Sequence, residues 1–137
     1  MENTPDIFEA TAGKAPATAE RSYIEDFQEY LERLRTQEVT GREIGEMIVY
    51  MANHFIRHNL IMMRSMKLFM KVKSEIQGRV DEITGKPITS AKADTLAAAT
   101  PESFAYEEAR THLQNIQEAI NALKAFQRGA LNEYSNQ

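Results

Sequence analysis

From Ile48 onward the chain carries an apolar residue at every seventh position: Phe55, Met62, Phe69, Ile76 and Ile83 follow without a break. Met51, Met66, Val72 and Val80 fill intermediate positions of the same seam. Seven residues make close to two helical turns, so such a column is satisfied by a long α-helix whose apolar edge lies against another helix. No proline occurs between Thr40 and Pro87, and Thr40 with Glu43 forms a capping box at the start of the run. In that box the hydroxyl and the carboxylate each satisfy a backbone N–H left without a partner at the helix start. The spacing predicts one helix of about 44 residues, ended by Gly85 and Pro87 and roughly 65 Å long. Between Leu60 and Met70 the apolar residues spread beyond the seam, to Leu60, Ile61, Met63, Leu68 and Met70. One partner helix cannot cover them all, so a bundle or a homo-oligomer is expected.

The remaining chain reads as shorter elements around that helix. Residues 1–19 are rich in Ala, Thr and Pro, with Pro5, Gly13 and Pro16 breaking any period, and read as a flexible N-terminal tail. Ser22 and Glu25 form a second capping box. The helix it starts should end near Gln37, with Ile24, Phe27, Leu31 and Leu34 as its apolar stripe and Glu25, Asp26, Glu29 and Glu32 acidifying the rest. Ile88 to Ala99 is Ala- and Thr-rich and reads as a connector containing a short helical turn. Thr100-Pro101-Glu102 then supplies an N-cap, a proline at the first helical position and an early acid, for a helix reaching about Glu133. The seam of this helix, Tyr106, Ala109, Leu113, Ile116, Ile120, Leu123, Ala130 and Tyr134, alternates three and four and fails only at Gln127.

A connector of about fifteen residues lets the two long helices fold back antiparallel as a hairpin. The expected fold is therefore all-α: a long helical hairpin with a shorter N-terminal helix, residues 20–137 forming one domain. Assembly into an oligomeric bundle or ring is expected through Ile48, Phe55, Met62, Phe69 and Ile76 on one helix and Leu113, Ile116, Ile120 and Leu123 on the other.

Composition narrows the classes of function. The 137 residues suit one domain. The absence of cysteine excludes disulfides, thiolate nucleophiles and cysteine-based zinc sites, and is consistent with a reducing compartment. No basic stretch followed by an apolar one marks a signal peptide at the start, and no apolar run approaches the roughly 18 residues of a spanning helix. A cytoplasmic location and no membrane partner are expected. The net charge of −4 hides a segregation: residues 1–46 carry −6, residues 47–92 carry +5 and residues 93–137 carry −3. Within the positive third, Met47 to Ser74 contains no Asp or Glu, five Lys or Arg, and six of the seven methionines.

With Ile48, Phe55, Met62 and Phe69 at heptad position a, Arg57, Arg64 and Lys71 fall at position c and Lys67 at position f. These positions lie opposite the seam, so the four cations make a stripe at intervals of about 10 Å or less. A solvated face that merely keeps a helix soluble normally mixes charge signs, which gains i,i+4 pairs. The exclusion of acids instead favours an anion, and a phosphate backbone is the extended anion such a stripe fits. Nucleic acid held this way would be gripped by its phosphates without its bases being read, and binding would fall steeply with salt.

His54 and His58 have the i,i+4 spacing of a zinc pair, but no Glu follows His54 in an H-E-x-x-H pattern and the only other histidine is His112. Packing, or a weak addition to the positive charge, is the simpler reading, and no metal is expected. The methionines suit a plastic partner-binding groove or a basic amphipathic helix at a membrane surface; core packing explains them more simply. No Walker loop, nucleophile elbow, dinucleotide-binding glycines or paired carboxylates among apolar residues occur. No enzymatic activity and no cofactor are expected.

From Arg57 onward the chain resembles the phage recombination mediators of the UvsY type. The matching residues are Arg57-His58, the basic run through Lys73, Arg79-Val80-Asp81 ahead of Thr84-Gly85, and Ser90 to Asp94 in the connector. They continue with Ala119 to Leu123 and Lys124, then Arg128-Gly129-Ala130 and Tyr134. The resemblance implies a small, cytoplasmic, α-helical protein that forms homo-oligomeric rings and binds single-stranded DNA. Such proteins help load a RecA-like recombinase onto strands coated by single-stranded DNA-binding protein. The family carries a Lys-x-Arg pair late in its long helix, implicated in DNA binding; here Gln77-Gly78-Arg79 stands in that place, so only Arg79 carries over.

The expected function is thus that of a non-enzymatic recombination mediator, its phosphate contacts made by Arg57, Arg64, Lys67, Lys71, Lys73 and Arg79. The alternative is a phage structural or assembly protein, a scaffold or virion component with no nucleic-acid role. Its basic stripe would meet acidic protein surfaces, and its Ala/Thr/Pro-rich arm would drape over a neighbouring subunit.

Overall fold

The computed structural model describes residues 21–135, so the tail read into residues 1–19 lies outside the described residues. The described chain is all-α. Its helices are α1 (Tyr23–Thr36), α2 (Gly41–Gln77), α3 (Ser90–Ala98) and α4 (Pro101–Ser135). An isolated antiparallel bridge between Val80 and Pro87 is the one extended pairing among the described residues.

Each helix start follows from a side chain that satisfies the first free N–H groups. Before α1, Ser22 Oγ accepts from Glu25 N at 3.1 Å while Ser22 N donates to Glu25 Oε1 at 3.0 Å. Before α2, Thr40 and Glu43 repeat the exchange at 3.1 and 2.8 Å. Thr100 Oγ1 accepts from Ser103 N at 3.1 Å before α4. Thr89 caps α3 by accepting from Lys92 N at 3.2 Å, which fixes the start of the short helix expected within the connector.

The chain divides into two compact units. One runs through Met51 and resumes at Leu123; the other is Ala52–Ala122. Both α2 and α4 contribute a segment to each.

In the first unit, Tyr23 and Tyr30 of α1 are buried with Ile44, Met47 and Met51 of α2 and Leu123 of α4. The buried face of α1 differs from the expected stripe: Tyr23, Asp26 and Tyr30 point inward, whereas Ile24 and Leu31 are exposed. A tyrosine buries its ring as well as an aliphatic residue does and only its hydroxyl needs a polar neighbour. Asp26 enters the unit with Arg21 Nε 3.1 Å from its carboxylate. Burial, and then the negative charge of Asp26, pushes the Tyr30 hydroxyl up to about 12.

Gln127, the break in the α4 seam, donates from Nε2 to the Gly41 carbonyl oxygen at 3.0 Å. A Cβ on Gly45 would come within 3.1 Å of that amide nitrogen, and one on Gly41 within 3.0 Å of Leu131 Cδ2. As α2 advances from Gly41 to Gly45, its neighbour on α4 retreats from Leu131 to Gln127, so the segments of this unit run antiparallel.

In the second unit the α2 and α4 segments are also antiparallel. The His58 and His112 rings lie 5.7 Å apart, and further along α2 Phe69 stacks on Tyr106, also at 5.7 Å. Arg110 covers the same Tyr106 ring at 5.5 Å. Ala109, Ile116, Ala119 and Ile120 form the buried edge of α4, and Ala93 and Ala97 of α3 close over Ile76 with Phe69, Val72 and Ile88 around them. Alanine is what lets α3 lie this close.

The long helix ends earlier than the heptad column predicts. It has 37 residues and stops at Gln77. Gly78 N reaches back to both Ser74 O and Glu75 O, Arg79 N bonds Ile76 O, and the chain then turns. Val80 and Ile83, assigned to the seam by their spacing, are 59% and 88% exposed in the loop beyond.

Candidate nucleic-acid interface

Within the second unit, α2 separates cleanly into two faces. Phe55, Met62, Met66, Phe69, Val72 and Ile76 point inward, Ile76 fully and the others partly buried. Arg57, Arg64, Lys67 and Lys71 are all exposed. At 100° per residue these four occupy one sector of roughly 80°, spread over about 21 Å of helix. Apolar residues bound that sector on both sides: Ile56, Met63 and Met70 on one edge, Ile61 and Leu68 on the other, with Leu60 inside it. All six are 42–59% exposed.

The electrostatics distinguish the six predicted contact residues from one another. Among the described residues no carboxylate pairs with Arg64, Lys67 or Lys71. Arg57 stands in the same row with its Nη2 2.6 Å from Nδ1 of His54, a ring only 5% exposed. A guanidinium can only donate, so in this contact Nδ1 is the acceptor. The bond anchors one end of the Arg57 guanidinium, and the residue as a whole stays exposed.

Lys73 leaves the row. It is turned toward α3, with Nζ 3.7 Å from Asp94 Oδ1. Arg79 lies past the end of α2, where its backbone N–H bonds Ile76 O and its carbonyl accepts from Ile88 N. The structure thus groups four of the six and sets two apart. The heptad register of Lys73, four residues after Phe69, already puts it on the seam side of the helix.

Of the nine residues expected to join subunits, four are buried within one chain. Ile76, Ile116, Ile120 and Leu123 are 3%, 0%, 7% and 0% exposed, so a second copy cannot reach them without opening the fold. Ile48, Phe55, Met62, Phe69 and Leu113 are half-buried. Phe55, Met62 and Leu113 line a shallow groove with Tyr106 and Gln117.

The histidines gather in this unit too, but no three His, Asp or Glu side chains converge as a metal-ligand set among the described residues. Burial first, then the charges on His112, Arg57 and His54, hold His58 below the usual imidazole range. No described helix is long and apolar enough to cross a membrane. Comparison with protein-family models, with curated proteins and with solved structures finds no match for this chain.

Proposed function

We propose that this protein binds single-stranded DNA along the outer face of α2, as a non-enzymatic mediator that helps load a RecA-like recombinase onto strands held by single-stranded DNA-binding protein. The observation that carries the reading is the row Arg57, Arg64, Lys67 and Lys71: exposed, on one sector, in a stretch without a carboxylate, and with three of its four cations unpaired among the described residues. In a protein of net charge −4, leaving cations uncompensated side by side costs repulsion that an anion relieves. A single strand supplies closely spaced phosphates that follow a straight helix, and the exposed Leu60, Met63 and Leu68 offer apolar surface against unpaired bases.

The test is a triple reversal. Arg64→Glu, Lys67→Glu and Lys71→Glu together change exposed side chains only, so helicity by circular dichroism should match the unaltered protein. Binding of a fluorescent oligonucleotide at low salt should be lost. Unchanged affinity in that variant would remove the assignment.

A second reading rests on the apolar edges. Cations bounded on both sides by Ile56, Met63, Met70, Ile61 and Leu68 also suit an acidic amphipathic helix of another protein, as in a virion or scaffold assembly. That reading predicts no affinity for single strands at any salt concentration.

A further inference from the structure

The four cations of the α2 row are not held alike. Arg64, Lys67 and Lys71 make no ion pair or side-chain hydrogen bond among the described residues. A long side chain in that state samples several rotamers, and gripping an anion costs it that freedom. Arg57 differs. Its Nη2 lies 2.6 Å from Nδ1 of His54, one turn back on the same helix. The histidine ring is 5% exposed while the arginine is exposed, so the contact runs from the interior of the unit out to the row.

A guanidinium carries its N–H groups in one rigid plane, so a bond at one nitrogen restricts where the rest of the plane can lie. The identity of the acceptor matters as much. A ring nitrogen that accepts brings no charge to the pair, so the contact orients Arg57 without neutralising it. Lys73 shows the other arrangement, in which Asp94 both holds the cation and cancels it. Orientation without neutralisation is what a cation needs if its charge is kept for a ligand.

We propose that His54 is a positioning residue for the anion site: by accepting from Arg57 it presets that guanidinium as the oriented phosphate contact of the row, while Arg64, Lys67 and Lys71 act as movable charges. The inference rests on the single-strand reading of this face and adds to it a residue that does not touch the strand. It has a signature that charge alone does not give. Counterion release depends on how many cations meet phosphates, and it sets the slope of log K against log salt. Prior orientation removes an ordering cost that is the same at every salt concentration, so it shifts the line without tilting it.

The test is fluorescent single-stranded oligonucleotide binding over a salt series, on the full chain and its His54 variants. His54→Phe keeps a ring of similar shape and has no acceptor. His54→Gln carries its acceptor one bond further out, whereas His54→Asn has Oδ1 on the same carbon that bears Nδ1 in histidine. Circular dichroism and urea midpoints report the fold of each, and two acceptor-removing variants guard against one that misfolds. His54→Phe and His54→Gln should weaken binding roughly threefold to tenfold at every salt concentration, with the slope of the unaltered protein. His54→Asn should restore binding to the unaltered level. Arg57→Ala should itself flatten the slope by about one, and adding His54→Phe to it should cost nothing more. An equal loss from His54→Phe with and without Arg57 would place the histidine's effect in the fold and overturn the proposal. So would full affinity in His54→Phe, or a loss in His54→Asn as large as in His54→Phe. Those results leave single-strand binding by the unaltered chain standing; an unaltered chain that binds no oligonucleotide removes the reading of the face, and this proposal with it.

Discussion

His58 shows how one residue ties the interface to the interior. Its ring faces His112 from α4 and shares its helix with His54 and Arg57, and burial keeps it neutral at a pH where a free imidazole takes up a proton. The unfolded chain therefore binds more protons than the folded one as pH falls below the ordinary value of 6.5, and stability must fall with it. Urea midpoints should drop between about pH 7.5 and pH 5.5, and His58→Gln should flatten that dependence. An identical pH profile in the variant would show that His58 does not carry the effect. Asp81, held below the usual carboxylate range by the hydrogen bond from Lys92, acts in the same direction, at lower pH. Its depressed carboxyl contributes stability that is present at neutral pH and lost only in acid, below 3.8.

At the scale of elements, helix starts were legible in the sequence and the end of α2 was not. Ser22, Thr40 and Thr100 act through side chains that reach only three residues onward, so a short window contains all the chemistry. The end of α2 depends on competing structure. The apolar column continues through Ile83, but Gly78 loosens the helix and Asp81 offers the chain a closed turn, with Gly85 supplying the positive φ. Gly78 and the Asp81 to Gly85 turn formers carry the local signal that competes with the column.

The two glycines give opposite predictions. Gly78→Ala adds a Cβ no closer than 3.7 Å to any neighbour, so it should stabilise by about 0.5 kcal/mol through the unfolded chain. Gly85→Ala, at φ +74°, should destabilise by roughly 1 kcal/mol. Urea denaturation of both variants measures each; a shared sign would contradict this account of the turn. The stripe of α1 is legible only in part: Phe27 and Leu34 are half-buried, but Tyr23 and Tyr30 bury their rings while the more apolar Ile24 and Leu31 stay out. In the candidate site the row of cations was legible from spacing alone, whereas the Asp94 partner of Lys73 comes from a helix distant in sequence.

At the scale of the whole molecule, an acidic chain sets four of its 16 cations on one helix face, three of them without a carboxylate partner among the described residues. Whether that face is an anion site is read most directly from the salt dependence of single-strand binding. Four phosphate contacts predict a slope of log K against log salt of roughly −3 between about 50 and 200 mM. The Arg64→Glu, Lys67→Glu, Lys71→Glu variant should show no measurable binding across that range. A slope near zero in the unaltered protein, or the same slope and affinity in the variant, would contradict the account.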